Sequence, residues 1–221
     1  PEESLHAINT SIAQFHEALK NTSVLILTLG SAFAYRHREH NIFVSNNHRA
    51  PHDWFNKELL SITDIQTHLQ RSVDALHAQY PSLRIVFTIS PVRHVRDGVI
   101  ENNRSKARLL ETVHHLVNKF DRLFYFPAYE LVIDVLRDYR YFDQDLVHPS
   151  VEAIQFVWEQ LERTYFDTPT LELAKQVRQI KMGEEHRIIH PKSQAARLFK
   201  EDLLNKKNTL FLDFPYLKKW S

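Results

Sequence analysis

Arg84-Ile-Val-Phe-Thr-Ile-Ser-Pro-Val-Arg-His94 reads as a short apolar strand that breaks at Pro91 and opens into a polar cluster. Working outward, Val24 to Leu29 is a similar run ending at Gly30, and Leu123 to Phe126 is a third, stopped by Pro127. Ile42 to Val44 is a weaker extended stretch. Between these runs the apolar residues switch to helical spacing. Leu5, Ile8, Ile12, Phe15 and Leu19 predict a helix over roughly 3–20. Ile62, Ile65, Leu69, Val73 and Leu76 predict a second, with Ser61 as its N-cap. Ala107, Leu110, Val113 and Val117 mark a third. Ile154, Val157, Trp158 and Leu161 mark a fourth, with Pro149 in its first turn.

Helices alternating with short apolar strands indicate an α/β fold with a parallel sheet. Such sheets hold ligands outside the carboxyl ends of their strands. The polar clusters fall there: Gly30-Ser31, Ser90 to Asp97, and Pro127 to His148. Beyond about residue 168 the pattern changes. Thr168 to Glu185 and Ser193 to Asn205 read as charged helices, followed by an aromatic tail from Leu210 to Trp220. The expected division is an α/β domain over 1–167 and a helical appendage with its tail over 168–221.

The 221 residues are 43% hydrophobic and 25% charged, enough for one domain that buries about 70% of the surface its unfolded chain exposes. The formal net charge of +1 lacks the basic field of a nucleic-acid binder. With no cysteine, disulfides, thiolate metal sites and a Cys nucleophile are excluded. No apolar run reaches the roughly 18 residues of a membrane span. The expectation is a cytoplasmic protein with no membrane or nucleic-acid partner. Pro1 is not a natural initiator, so the chain is expected to be processed, trimmed or cut from something longer. Three glycines argue against phosphate-cradling loops, and fourteen histidines dilute the significance of any one. His48-x-x-x-His52 and His186-x-x-x-His190 have helical metal spacing, but both lie beside prolines and neither carries the Glu of a His-Glu-x-x-His site. No metal or other cofactor is expected.

Tyr141-Phe-Asp-Gln-Asp145-Leu-Val-His148-Pro-Ser150 carries the clearest chemistry. It sets a carboxylate three residues from an imidazole, the pairing that suits a general base and the group that orients it. On four residues alone, Asp145 as a helix cap and His148 as a surface residue is the commoner arrangement. Position after the last strand favours the catalytic reading, because one hydrolase chain order places Asp and His last. Ser31 at a strand end is a nucleophile or, more commonly, a turn or capping hydroxyl. Asn46 and His48 in the Asn46-Asn-His-Arg49 loop suit oxyanion and substrate contacts, or simple turn chemistry. Arg93 and His94 suit a pocket wall, with Asp97 as an ion-pair partner for Arg93.

These residues sit in segments that resemble the GSCFA-domain family, a branch of the SGNH (GDSL-like) hydrolase superfamily, from roughly residue 3 to 200. The segments are Leu25-Ile-Leu-Thr-Leu-Gly-Ser31, Ser45-Asn-Asn-His-Arg-Ala-Pro51, Phe87-Thr-Ile-Ser-Pro-Val-Arg-His94, Asp97-Gly98, Asn103-Arg-Ser-Lys-Ala107, Tyr125-Phe-Pro-Ala-Tyr-Glu130, Leu136-Arg-Asp-Tyr-Arg140 and Asp145-x-x-His148-Pro149-Ser150. The resemblance implies a three-layer α/β/α, flavodoxin-like sheet and an Asp–His pair serving a catalytic Ser. The family's Gly-Ser-Cys-Phe-Ala block, with that Ser, lies on an earlier strand. Gly30-Ser-Ala-Phe-Ala34 looks like this block, yet its surroundings match the family's later Thr-Leu-Gly strand, where the superfamily normally carries an Asn oxyanion donor. Ser31-Ala32 stand there instead, leaving Asn46 as a substitute, and Asn47 replaces the usual Cys.

The resemblance therefore implies a domain incomplete on its N-terminal side, with the nucleophile upstream. The expected activity is hydrolysis of an acyl or acetyl ester, on a small molecule or carbohydrate. His148 would act as base, Asp145 would orient it, and Ser31, Asn46, His48, Arg93 and His94 are the substrate or oxyanion candidates. The alternative is a non-catalytic binding or interaction protein that keeps the fold. The aromatic tail (Phe211, Phe214, Tyr216, Trp220) makes self-association a candidate property.

Overall fold

The computed structural model describes residues 2–44, 47, 49–187, 189–190 and 192–220. Helix α1 (Glu2–Leu19) leads into β1 (Val24–Leu29), β2 (Phe33–His37), β3 (Phe43–Val44) and β4 (Phe55–Leu59). Then come α2 (Ile62–Gln79), β5 (Arg84–Ile89), α3 (Val99–Lys119) and β6 (Leu123–Tyr125). A short α4 (Ala128–Glu130) continues into a π-helical segment, Leu131–Leu136. Helices α5 (Val151–Tyr165), α6 (Thr168–Glu185) and α7 (Gln194–Asp213) follow. Ser61 caps α2 as expected, in a full capping box: its hydroxyl accepts from Asp64 N, and the Asp64 carboxylate accepts from Ser61 N. Pro149 does not enter α5. It pairs with Phe142 in an isolated antiparallel bridge, and Ser150 takes the capping role, its hydroxyl accepting from Ala153 N at 3.4 Å.

The main sheet runs β1-β5-β6, all parallel, with Val24 opposite Arg84 through Leu29 opposite Ile89. Alternation along the strands sends Leu25, Leu27, Leu29, Ile85, Phe87, Ile89, Leu123 and Tyr125 to one face. That face packs on Ile65, Leu69, Val73 and Leu76 of α2 and on Leu109, Val113 and Leu116 of α3. Ile85, Phe87 and Ile89 are fully buried, each contributing roughly 1.5–3 kcal/mol by burial. The opposite face is only partly covered: Val24, Ile26 and Phe124 are exposed. Helix α1 forms over the predicted span, but its apolar stripe of Leu5, Ile8, Ile12 and Phe15 also lies open.

A second, antiparallel sheet, β3-β2-β4, was not expected beyond its Ile42–Val44 strand. Phe33 to His37 is half-buried at every position, so it shows no period-two signal. Pairing with β4 supplies what the pattern hides: Phe33 opposes Leu59, and His37 opposes Phe55. Arg36 Nε bonds Glu58 at 3.0 Å, and its guanidinium lies 4.0 Å from the Phe43 ring centroid. Lys57 of β4 forms an ion pair with Asp97. Just beyond Asp97, Gly98 starts α3 with φ 82° and ψ 156°, a region essentially closed to side-chain-bearing residues. A Cβ there would meet nothing within 4 Å, so any cost is backbone strain alone. Gly98→Ala is expected to lower stability by about 1–3 kcal/mol in urea unfolding, and a change below about 0.5 kcal/mol would contradict the strain argument.

Two compact units divide the chain, Pro1–Val157 and Trp158–Ser221. In the second, Glu162 is buried and accepts from Trp158 Nε1 at 2.7 Å and Arg178 at 2.6 Å. Asp167 and Ser193 cap α6 and α7. A Cβ on Gly183 of α6 would stand 2.6 Å from Leu203 Cδ1, so this glycine leaves the space into which the α7 leucine packs. The predicted tail is helical: α7 runs to Asp213 and a 3-10 segment covers Pro215–Trp220. Among the described residues, no helix is long and apolar enough to cross a membrane.

Candidate functional site

Asp145 and His148 meet in a tight turn held by the Asp145 carboxylate. Asp145 Oδ1 accepts from Val147 N at 2.8 Å and from His148 N at 3.0 Å. Its other oxygen, Oδ2, lies 2.6 Å from His148 Nδ1. Leu146 takes a left-handed φ of 57° to let the chain fold back. The turn is pinned on its flanks by Asp143 N donating to His148 O at 2.8 Å and by the Phe142–Pro149 bridge. The backbone N–H of His148, its ring and the N–H of Val147 together pull the Asp145 carboxyl down to about 2, so it is ionised at neutral pH. In a neutral ring whose Nδ1 donates to this carboxylate, Nε2 is the acceptor. Both residues are substantially solvent-exposed.

Backbone contacts place this turn beside the carboxyl end of β5. Arg93 N donates to Val147 O at 3.4 Å. One residue on, His94 N donates to Asn102 Oδ1 at 2.9 Å, while the His94 ring tip reaches Gly30. Partial desolvation, and then the Lys106 charge, push the imidazole below its usual value and favour the neutral form. Lys106 itself is buried, 1% exposed, and donates to Gly30 O at 2.6 Å and Ser90 O at 2.7 Å. It thus ties β1 to β5 where their ladder stops. Sequence reasoning missed Lys106, Ser105 and Asn102 as buried groups and instead took Ala107, which is exposed, as one of the apolar positions marking this helix. The missed signal was periodic: Asn102, Ser105, Lys106, Leu109, Val113 and Leu116 form one continuous helical stripe, polar at its start.

Ser31 acts here as a turn hydroxyl. Its Oγ accepts from Phe33 N at 3.1 Å and lies 3.4 Å from Ser105 Oγ, whose oxygen takes Ala32 N at 2.7 Å. Among the described residues, no hydroxyl is hydrogen-bonded to the His148 ring. Arg93 does not pair with Asp97, because Asp97 is engaged by Lys57. Its guanidinium lies instead over Phe142, 4.6 Å from the ring centroid, and 5.7 Å from that of Tyr139. Asn46 and His48 lie outside the described residues. The structure thus brings Gly30, Ser31, Arg93, His94, Asp145 and His148 to one end of the parallel sheet.

An α/β protein with an oriented imidazole at the carboxyl edge of a parallel sheet is the class that fold and site define. The chain belongs to the GSCFA family, whose family model matches residues 1–161. No curated protein and no solved structure matches it.

Proposed function

We propose that this domain is the back part of an SGNH-like three-layer hydrolase that cleaves acyl or acetyl esters, on carbohydrates or related small molecules. The observation that carries the reading is the 2.6 Å contact between Asp145 Oδ2 and His148 Nδ1, in a His148 side chain that is exposed to solvent. Nε2 takes the proton of a serine hydroxyl as that oxygen attacks the ester carbonyl, and returns it to the departing alcohol. Water, deprotonated the same way, then releases the acid. Asp145 holds the imidazole in the competent tautomer throughout. The serine comes from a segment upstream of β1. Two features support that placement. β1 is an edge strand among the described residues, and its Val24 and Ile26, like the apolar stripe of α1, lie open.

The full-length protein tests this reading. Turnover of aryl acyl esters is expected, with loss of turnover and a single covalent adduct, on serine, after fluorophosphonate treatment. Absence of both turnover and adduct would overturn it. One observation favours a second reading, a non-catalytic binding protein that retains the fold: the lack of any hydroxyl bonded to His148 among the described residues. That reading predicts no adduct on the full-length protein.

A further inference from the structure

The cleft beside the Asp145–His148 turn is built for an anion. It has a volume of about 190 Å³ and is bordered by Arg93, Arg137, Asp138, Tyr139 and Phe142, with Val132 contributing apolar lining. That volume equals about six waters, room for a short acid chain and little more. Two local departures from regular backbone shape it. The Leu131–Leu136 segment is π-helical, a geometry that recurs at functional sites, and Arg137 ends it in the left-handed region at φ 49°.

Arg93 is held ready rather than consumed. Cation–π contact holds its guanidinium 4.6 Å from the Phe142 ring centroid, with the Tyr139 ring at 5.7 Å. Among the described residues, neither its guanidinium nor that of Arg137 makes a hydrogen bond or an ion pair with the protein. Asp138 does not neutralise them. Its Oδ1 accepts from Arg140 N at 2.9 Å and its Oδ2 lies 3.5 Å from Arg140 Nε. The cleft therefore presents two unpaired guanidinium groups against one carboxylate already engaged in its own turn.

The cleft wall and the dyad turn share a backbone. Phe142 bridges Pro149, Ser150 N donates to Tyr141 O at 2.8 Å, and Arg93 N donates to Val147 O. These contacts tie the cleft wall to the turn that carries His148. We infer that Arg93, with Arg137, forms an oxyanion subsite next to His148, so that the ester handled there carries a carboxylate or phosphate on its acyl or alcohol part. A planar guanidinium already held against an aromatic ring suits bidentate contact with either group, at reduced ordering cost. This inference rests on the hydrolase reading for the word ester, but the subsite itself is judged by binding alone.

Calorimetric titration of the full-length protein uses three non-hydrolysable probes: N-methylsuccinamate, methyl phosphate and the neutral N-methylbutyramide. At least one anion is expected to bind, identifying carboxylate or phosphate as the preferred group, and the neutral amide is not. Arg93→Gln is expected to weaken anion binding roughly ten- to hundredfold, and Arg93→Lys less, because it keeps the charge but loses the planar fork. Should Arg93→Gln fail to fold, Arg137→Gln and the Nε–H resonance of Arg93 in the unmodified protein, expected to shift on anion saturation, decide the matter. Binding of neither anion, equal binding of the neutral amide, or an unmoved Arg93 resonance overturns the subsite. Anion binding without ester turnover would retain the subsite and remove the hydrolase reading.

Discussion

Asp145→Asn is expected to reduce ester turnover by the full-length protein roughly 10³–10⁴-fold while leaving the turn that carries it intact. The reason lies in the separate tasks of the two carboxylate oxygens. Oδ1 accepts from Val147 N and His148 N, and an amide oxygen can do the same. Oδ2 faces His148 Nδ1 at 2.6 Å, and in the variant this position holds an NH₂ group. Two donors cannot face each other, so the ring proton moves from Nδ1 to Nε2. The nitrogen meant to accept the serine proton then already carries one. His148→Ala removes the base outright, with an expected loss at least as large as that of Asp145→Asn. Because Asp145 is drawn down to about 2, it stays ionised across the neutral range, and protonation of this carboxylate does not shape the activity profile there. Measuring kcat and KM alongside thermal unfolding separates catalysis from folding. If both variants turn over substrate at the wild-type rate, the pair is only a clamp for the loop.

The dyad was legible because its partners are three residues apart and the turn is local. Most strands and helices were legible for a related reason: β5 and α2 carry their burial in their own residue pattern, whereas β1 reads as a buried apolar run although Val24 and Ile26 are exposed. What stayed hidden is non-local. The β2–β4 pairing joins two half-buried strands with no alternation of their own. Lys57 takes Asp97 from forty residues away, displacing the nearer Arg93. Arg93 in turn finds aromatic rings that its own segment gives no hint of. Ser150 displaces Pro149 at the start of α5 because the Phe142 bridge holds the proline in the loop. Lys106 was hidden for an energetic reason as well. A lysine is expected at the surface, and only two carbonyls converging from separate strands make its burial tolerable.

That burial gives a prediction of its own. Replacing Lys106 with Met is expected to cost little near pH 7 and about 3 kcal/mol more near pH 10. In the folded chain Lys106 is pushed down by burial from 10.5 to about 8. In the unfolded chain it titrates at its ordinary value. Between these two values the unfolded state binds the extra proton, so the Lys106 contribution to stability rises with pH across that window. Below about pH 8 the folded protein bears the cost of a buried cation, which offsets the value of its two hydrogen bonds. At higher pH the amine is neutral and still donates to Gly30 O and Ser90 O. Met removes both donors at every pH, leaving two strand-end carbonyls unmet at about 1–3 kcal/mol each. The penalty is therefore masked at neutral pH and exposed in alkali. Denaturant unfolding of both proteins at pH 7 and pH 10 measures the difference, with titrations common to both cancelling. A pH-independent penalty would mean that Lys106 is not desolvated in the folded chain. The same substitution removes the cation that helps keep His94 neutral, so the His94 imidazole beyond β5 is coupled to this one buried amine.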